Sequence, residues 1–470
     1  MSDDLCYLDA TEVLSRYADK SLSPVEMTEA VLDRIDALNP ELNCFCVVDA
    51  ERALAQALES EARWAKGAPA GLVDGIPVSI KDLVLAKGWP TLKGSRTIDP
   101  DQAWDEDGPA TARLREHGAV ILGKTTTPEF GWKGATDNTL TGITRNPWNP
   151  AKTPGGSSGG AGAAVAAGLG PLAVGSDGGG SIRLPCHLTG LFGIKASFGV
   201  VPAYPGQPAP LRTFSHVGPM ARSVADATLM LAVISEPDHR DWLALRDGPR
   251  DYRGILDDGV KDLRIAYSAD FGYAPVNAEV AELVAAAAGT FEELGAQVEA
   301  VDPGFEDPFE IWITHFHAAA PILLDLMTEE QAELMEPELK KRWTREAAPS
   351  LTEFFAAVAA REDLGRHMAE FHRDYDLLLA PVASSAAFDV GLLGPDEFEG
   401  DPHSSWIRFT PPFNLTHQPA ASVPCGFTSD GLPVGLHIIG PMYRDDLVLR
   451  AAKAYERAKP TWQRRPELAG

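Results

Sequence analysis

The chain has 470 residues, of which 44% are hydrophobic and 23% are charged, which is ordinary for a globular protein. Its formal net charge of -26 argues against a nucleic-acid partner, which needs a basic surface, and against binding to an anionic membrane. The small-residue stretch 161–175 is too short and too rich in glycine to span a bilayer. The acidic N-terminus predicts no signal peptide, and five cysteines without framework spacing predict a reducing, cytoplasmic compartment.

The first part of the chain is predicted to be helical. The segment Ser23–Glu26 has a capping-box pattern with proline at the first helical position, and an apolar stripe at helical spacing follows it. This helix is expected to end at Asn39–Pro40. The run 43–48 (NCFCVV) has the composition of a strand, and a second helix is predicted from Ala50 to Lys66.

From Gly71 onward, short β-rich runs alternate with helical runs, which favours an α/β sheet covered by helices. The amphipathic region 279–373 is predicted to be helical, and strands then return before a final helix at 446–459. The predicted strands lie at 76–80, 119–122, 172–174, 375–382, 421–424 and 433–439. Because no linker or repeat divides the chain, we predict one domain over 1–470, with N-terminal helices at 1–70, a core at 71–230, and a helical insert with C-terminal sheet closure at 231–470.

One pattern suggests other chemistry and is rejected on physical grounds. Residues 118–125 (GAVILGKT) match a phosphate-binding loop, but the residues between the glycines are those of a buried strand, and no helix start follows. No serine lies in a GxSxG elbow, and no HExxH or Cys/His cluster predicts a metal site. A spatial Ser-His pair remains open at this point, since eleven histidines are present.

Three short pieces of the sequence carry candidate chemistry. Lys81 ends the strand-like run PVSIK, and burial there would lower the pKa of its amine toward that of a general base. The Gly/Ser segment 155–160 (GGSSGG) has the composition of a tight hinge. Ser181 follows three glycines, whose backbone N–H groups can turn into one hollow and bind an oxyanion. Each piece alone is also consistent with an exposed lysine or an ordinary turn.

The order and spacing of these pieces resemble the amidase signature family of serine hydrolases. The similarity extends to the flanking segments and to the C-terminal run PAASVPCGFTSDGLPVGLHIIGP at 419–441, and it covers roughly 10–458. It implies a three-layer α/β/α sandwich with a large twisted mixed sheet covered by helices on both faces. It also implies no metal or organic cofactor.

The resemblance assigns roles to individual residues. Ser181 resembles the acylated nucleophile, Ser157 the relay serine on a cis peptide bond, and Lys81 the base. It places further residues around this triad in three groups: the oxyanion hole with the N–H of Ser181 (Gly178, Gly179, Gly180), the surrounding support (Ser158, Asp177, Arg183), and the substrate pocket (Phe130, Gly131, Trp132). Arg183 is also a candidate contact for a polar group of the substrate. Gly178 departs from the larger residue that is frequent at its position, and Gly131 is expected to widen the pocket.

The resemblance therefore predicts an amidase that cleaves non-peptide carbon–nitrogen bonds of small aryl or alkyl amides, with carbamates, urethanes and esters as further substrates. The protein is expected to act as a monomer or homodimer. Two alternatives remain. One is the A-type component of a glutamyl-tRNA amidotransferase working in a complex, which the net charge and the DGGGSIRLP segment disfavour. The other is a homologue without catalysis, which the presence of Lys81, Ser157 and Ser181 disfavours.

Overall fold

Eleven strands form one mixed sheet in the part of the chain that the computed structural model describes, residues 5–206, 211–246 and 250–468. Residues 1–4, which belong to the acidic N-terminus that predicts no signal peptide, lie outside this part. Two further strands, β4 and β5, form a separate hairpin. The strands are β1 (Phe45–Val48), β2 (Pro77–Lys81), β3 (Val120–Thr125), β4 (Asp137–Asn138), β5 (Gly142–Ile143), β6 (Leu172–Asp177), β7 (Phe192–Lys195), β8 (His216–Ala221), β9 (Arg264–Tyr267), β10 (Gln297–Ala300), β11 (Leu377–Pro381), β12 (Ala420–Phe427) and β13 (Pro433–Ile439).

The strand order is β1-β3-β2-β6-β8-β7-β12-β13-β11-β9-β10. The α-helices that pack against and around this sheet are α1 (Ala10–Asp19), α2 (Pro24–Leu42), α3 (Ala50–Ala65), α4 (Pro109–Glu116), α5 (Gly159–Ala166), α6 (Arg183–Thr189), α7 (Val224–Ile234), α8 (Ala278–Glu293), α9 (Phe309–Ala318), α10 (Ala320–Asp325), α11 (Glu329–Glu333), α12 (Pro337–Arg342), α13 (Leu351–Phe371), α14 (Pro411–Leu415) and α15 (Asp445–Ala458).

The sheet is buried on both faces, as strand β6 illustrates. Leu172 and Val174 pack into the main apolar core, whereas Ala173 between them packs with Val165 of α5 and Cys186 of α6. Successive side chains of a strand point to opposite faces, so apolar residues at every position need a helical layer on each side. The predicted sandwich with helices on both faces is confirmed.

Strand direction brings the candidate residues together. β2 runs parallel to β6, and Ile80 pairs with Val174. The residues that follow, Lys81 on β2 and Gly175 and Ser176 on β6, therefore lie side by side at the carboxyl edge of the sheet. Active sites of parallel α/β sheets form at such an edge, where loops leave neighbouring strands.

Two details of the predicted elements are wrong. Helix α2 does not end at Asn39–Pro40 but continues to Leu42. The helix continues for two residues past Pro40, although proline removes one i→i−4 hydrogen bond. The Asn39 side chain accepts hydrogen bonds from the N–H groups of Cys44 and Phe45 as the chain leaves the helix. The region 279–373 is not helical throughout, because β10 pairs in parallel with β9, a long-range contact that a local sequence pattern cannot show.

Candidate active site

Lys81 is the last residue of β2, and its side chain is fully buried. Its Nζ lies 2.7 Å from Ser157 Oγ, 2.8 Å from Ser158 Oγ and 3.0 Å from Ser176 Oγ. Burial lowers the pKa of Lys81 well below 10.5, and the more distant charge of Asp177 opposes this only in part. Among the described residues no carboxylate forms an ion pair with this lysine. Burial therefore favours the neutral form of the amine, the form that a general base requires.

The hydrogen bonds around Lys81 indicate where its lone pair points. The Ser158 hydroxyl lies 3.1 Å from the Ser176 carbonyl oxygen, to which it donates, and Ser158 Oγ also accepts from the Ser176 N–H at 3.2 Å. Since a hydroxyl has one proton, Ser158 accepts from Lys81. A neutral amine donates two hydrogen bonds and accepts one, which leaves it able to accept the Ser157 proton. Ser176, which the sequence motifs did not indicate, completes this hydroxyl cluster.

Ser157 is held at the hinge between the Gly155–Gly156 turn and helix α5. The Gly156–Ser157 peptide bond is cis, which confirms the prediction from the hinge resemblance. Gly156 is confined, because a Cβ at this position would lie 2.8 Å from backbone atoms of Lys133, Gly134 and Ala135. The Ser158 N–H donates to the Ser181 carbonyl at 3.2 Å, so the hinge and the nucleophile loop are joined directly.

Ser181 lines the same cavity as Ser157, immediately before helix α6. Its hydroxyl makes no hydrogen bond within the described part of the chain, and its side chain is half-buried. Lys81 thus contacts Ser157, and Ser157 and Ser181 line one cavity. Such an arrangement is suited to a mechanism with a nucleophile, a relay and a base and no histidine.

Side chains from two other segments bind the carbonyl groups of the loop before Ser181. Trp312 Nε1 donates to the Gly178 carbonyl at 2.8 Å, and Thr410 Oγ1 donates to the Gly179 carbonyl at 2.6 Å. In a trans peptide the next N–H points opposite to the carbonyl, so the Gly179 N–H points away from Trp312. Among the described residues, the N–H groups of Gly178, Gly179 and Ser181 have no protein acceptor. They are the available donors for an oxyanion.

The expectation that the Gly180 N–H forms part of the oxyanion hole is wrong. Its N–H donates to Asp177 Oδ1 at 2.7 Å and is not free to bind an oxyanion. Glycine at this position allows a backbone conformation and a close contact that a side chain would prevent. Its φ is +129°, and a Cβ would lie 2.3 Å from Thr410 Oγ1. The glycine is required by the close approach of Thr410, which precedes α14, and by its backbone conformation.

A buried ion pair between Asp177 and Arg183 stabilises this loop. Asp177, at the end of β6, accepts from Arg183 Nε and from the Arg183 terminal nitrogen, both at 2.9 Å, and from the Asn414 amide at 2.9 Å. Burial alone would raise the pKa of Asp177, but Arg183 and Asn414 hold it well below its usual range. The carboxylate therefore stays charged and anchors the Gly180 and Ile182 N–H groups.

Arg183 does not contact substrate, contrary to the second role considered for it. Its side chain is fully buried, and beyond Asp177 it binds the Thr410 carbonyl at 3.1 Å, Asn414 Oδ1 at 2.6 Å and His437 Nε2 at 3.1 Å. All its donors face protein. Asn414 and Thr410 lie more than two hundred residues away in sequence, and no local motif could have identified them as partners.

Replacing Arg183 with methionine is expected to destabilise the protein by about 3–5 kcal/mol, because it leaves the Asp177 carboxylate buried without its countercharge. Urea unfolding followed by circular dichroism measures this loss. The matched control is the double variant Asp177→Asn/Arg183→Met, which removes both charges and should recover part of the stability. Equal stability of the single variant and the unmodified protein would contradict the account of this pair.

The histidine alternative finds no support in the hydrogen bonds of the structure. His187 Nε2 lies 2.9 Å from the Ser385 carbonyl, and its Nδ1 accepts the Gly435 N–H at 2.8 Å. His216 Nδ1 lies 3.0 Å from the Phe214 carbonyl. In the described part of the chain no histidine hydrogen-bonds to a serine hydroxyl. A Ser-His pair is therefore not the arrangement at this site.

Ser157 and Ser181 line a cavity of about 710 Å³ whose wall includes several aromatic side chains. Phe130, Gly131 and Trp132 all line it, as predicted. Gly131 leaves space beside the relay serine, since a Cβ here would lie 3.1 Å from Ser157 Oγ. Trp132 is nearly buried and donates from Nε1 to Glu336 at 3.1 Å. Other rings of the wall are Trp104, Phe214, Trp312, Phe316 and Trp343.

Comparison with known proteins agrees with this geometry. A sequence profile of the Amidase family matches residues 26–449. The chain is 38% identical to an acylamidase of Rhodococcus erythropolis, over 98% of both chains. It is 34% identical to the A-type component of the glutamyl-tRNA(Gln) amidotransferase of a Picosynechococcus species, over 96% of this chain and 97% of that protein.

Among solved structures, a bacterial aryl acylamidase of the amidase signature enzymes aligns with a TM-score of 0.89 and 32% identity, over 97% of both chains. No helix among the described residues is long and apolar enough to cross a membrane. The profile match over nearly the whole chain and these relatives agree with the triad motifs and the mixed sheet: the chain belongs to the amidase signature family of hydrolases.

Proposed function

We propose that this protein hydrolyses small aryl or alkyl amides through an acyl-enzyme on Ser181. The observation that carries the proposal is the buried Lys81 amine, whose pKa is lowered by burial, 2.7 Å from the hydroxyl of Ser157. A serine hydroxyl alone is a weak nucleophile and needs a base that is unprotonated at neutral pH. Lys81 meets this need without an acidic partner.

The reaction follows from the roles of these groups. As Ser181 Oγ attacks the substrate carbonyl, its proton passes to Ser157 and the Ser157 proton passes to Lys81. The carbonyl electron pair moves to oxygen, where the N–H groups of Gly178, Gly179 and Ser181 stabilise the charge. When the carbon–nitrogen bond breaks, the same relay returns the proton to the leaving amine. Water then attacks the acyl carbon along the same proton path and releases the acid and Ser181.

The aromatic wall and the volume of about 710 Å³ favour aryl-containing amides over very small ones. The names of the similar proteins, acylamidase and aryl acylamidase, support the same class. The test is a panel of anilides, alkyl amides, carbamates and esters assayed with the purified protein. Hydrolysis of anilides with the highest kcat/KM supports the proposal, and failure to cleave any amide in the panel contradicts it.

The alternative of an A-type component of a glutamyl-tRNA amidotransferase has the support of the 34% identity to that protein. The net charge of -26 remains the argument against a tRNA-binding assembly. Glutaminase activity of the protein, or its copurification with further subunits, would favour this alternative. An amidase that acts alone should hydrolyse anilides as a purified single chain.

Gly178 is expected to set the width of the cavity. A Cβ at this position would meet nothing within 4 Å, so Gly178→Val fits and fills open space beside Ser181. We expect the ratio of kcat/KM for bulky anilides over acetanilide to fall by about 10-fold or more. Gly179→Ala is the matched control: its Cβ would lie 2.6 Å from Trp312 Cζ2, so it should lower the Tm instead. An unchanged substrate ratio in Gly178→Val would refute this assignment.

A further inference from the structure

We propose that Lys93 is a specificity residue that binds a carboxylate of the substrate, so that the preferred amides carry an anionic group distant from the scissile bond. This inference rests on the proposed function and names its substrate class more closely. Lys93 lies on the wall of the same cavity as Ser157 and Ser181.

Lys93 differs from the neighbouring lysines in having no partner among the described residues. Lys133, another lysine on the cavity wall, is bound by Asp137 and by Glu336, each at 2.6 Å. Lys124, beneath the wall, pairs with Asp82 at 3.0 Å. Within the part of the chain that the structure describes, Lys93 forms neither a hydrogen bond from its amine nor an ion pair. A half-buried lysine amine without a countercharge, on the wall of a binding cavity, is suited to an anionic ligand, which would favour its charged form.

The loop that carries Lys93 is fixed in place. The Lys93 carbonyl accepts from the Phe130 N–H at 2.8 Å, and the Gly94 N–H donates to Asp82 at 3.2 Å. Thr91 accepts from Lys124 at 2.6 Å. These bonds tie the loop to the carboxyl ends of β2 and β3, next to Lys81. Because the loop is anchored, a substrate carboxylate at Lys93 would also be positioned relative to the triad.

The backbone at Lys93 supports a role beyond packing. Its φ is +54°, in the left-handed region that favours glycine. Strained residues of this kind concentrate at ligand-binding sites, where the surrounding structure holds them. Lys93 lines the cavity in this conformation.

The charges around Lys93 agree with this assignment. Burial lowers the pKa of Lys93, Asp82 opposes that effect, and Lys124 adds to it. A substrate carboxylate would supply the countercharge that Asp82, committed to Lys124, does not provide. Of the other ionisable groups on the wall, His403 is neutral because burial lowers its pKa to about 4, and Asp99 is exposed and makes no ion pair with Lys93.

The test compares substrates that differ in one carboxylate. Mono-4-nitroanilides of succinic, glutaric and adipic acid are compared with butanoyl, pentanoyl and hexanoyl 4-nitroanilide, and 4-acetamidobenzoate is compared with acetanilide. We expect the best carboxylate substrate to exceed its neutral counterpart in kcat/KM. In Lys93→Met this ratio should fall by about 10- to 100-fold, the effect of losing one charged hydrogen bond. Lys66→Met, which removes an exposed charge outside the cavity, should leave the ratio unchanged.

Binding is measured separately, so that failure of catalysis does not hide the result. Isothermal titration measures the binding of the same carboxylate amides to Ser181→Ala and to the double variant Ser181→Ala/Lys93→Met. We expect the Kd of the double variant to be about 10- to 100-fold higher. If no amide in the panel is hydrolysed, the proposed function fails while titration still decides the role of Lys93. Equal preference for charged and neutral substrates, or a preference and a Kd unaltered by Lys93→Met, overturns the inference.

Discussion

Replacing Ser181 with alanine is expected to lower kcat for anilide hydrolysis by about 10⁴- to 10⁶-fold, the loss seen when a serine-hydrolase nucleophile is removed. Ser181 lines the cavity together with Ser157, Gly178 and Gly179. Alanine removes the atom that forms the acyl-enzyme. Steady-state kinetics with a chromogenic anilide measures the effect, and an unchanged Tm shows that the fold is intact.

Ser157→Ala provides the matched control for the relay. Because Ser157 and Ser181 act in one proton path, the double variant should be no slower than the slower single variant. Additive losses would mean that the two serines act independently. A Ser181→Ala protein with full activity would remove the nucleophile assignment altogether.

Lys81→Met is expected to lower kcat by several orders of magnitude, since the relay then has no base. The pH dependence follows from the lowered pKa of the buried amine. As pH falls through that pKa, Lys81 becomes an ammonium group and cannot accept a proton, so kcat/KM should decrease on the acid side. The pKa of Asp177 lies well below its usual range, so that carboxylate does not produce this limb.

Lys81→Arg is the control for charge and hydrogen bonding. Arginine stays protonated at every pH of the assay, so it should not restore activity. A pH–rate profile that is flat down to about pH 5, or an active Lys81→Arg protein, would contradict the role of a neutral lysine. The profile of the unmodified protein is measured with a substrate whose own ionisation lies outside the range.

The triad was predicted from the order and spacing of three short motifs, which resemble those of the amidase signature family, because each motif alone is also consistent with an exposed lysine or an ordinary turn. Lys81 ends an apolar strand, Ser157 lies between glycine pairs, and Ser181 follows three glycines. The strand alternation around them also predicted the sheet and its two helical layers.

Other parts of the site depend on contacts between distant segments. Trp312 and Thr410, which hold the glycine loop, come from regions with no active-site motif, and Asn414 reaches Asp177 across more than two hundred residues. Gly180 was assigned to the oxyanion hole because three glycines look alike in sequence, whereas only the structure shows its N–H bound to Asp177. The division of the chain into 1–70, 71–230 and 231–470 stays a prediction.

The most direct test of the central claim is to trap the acyl-enzyme site. The protein is treated with a fluorophosphonate, digested and mapped by tandem mass spectrometry, with Lys81→Met and Ser181→Ala treated in parallel. We predict a single adduct on Ser181, greatly slowed labelling in Lys81→Met, and none in Ser181→Ala. Labelling of another serine while Ser181→Ala remains active would contradict the assignment of Ser181 as the nucleophile.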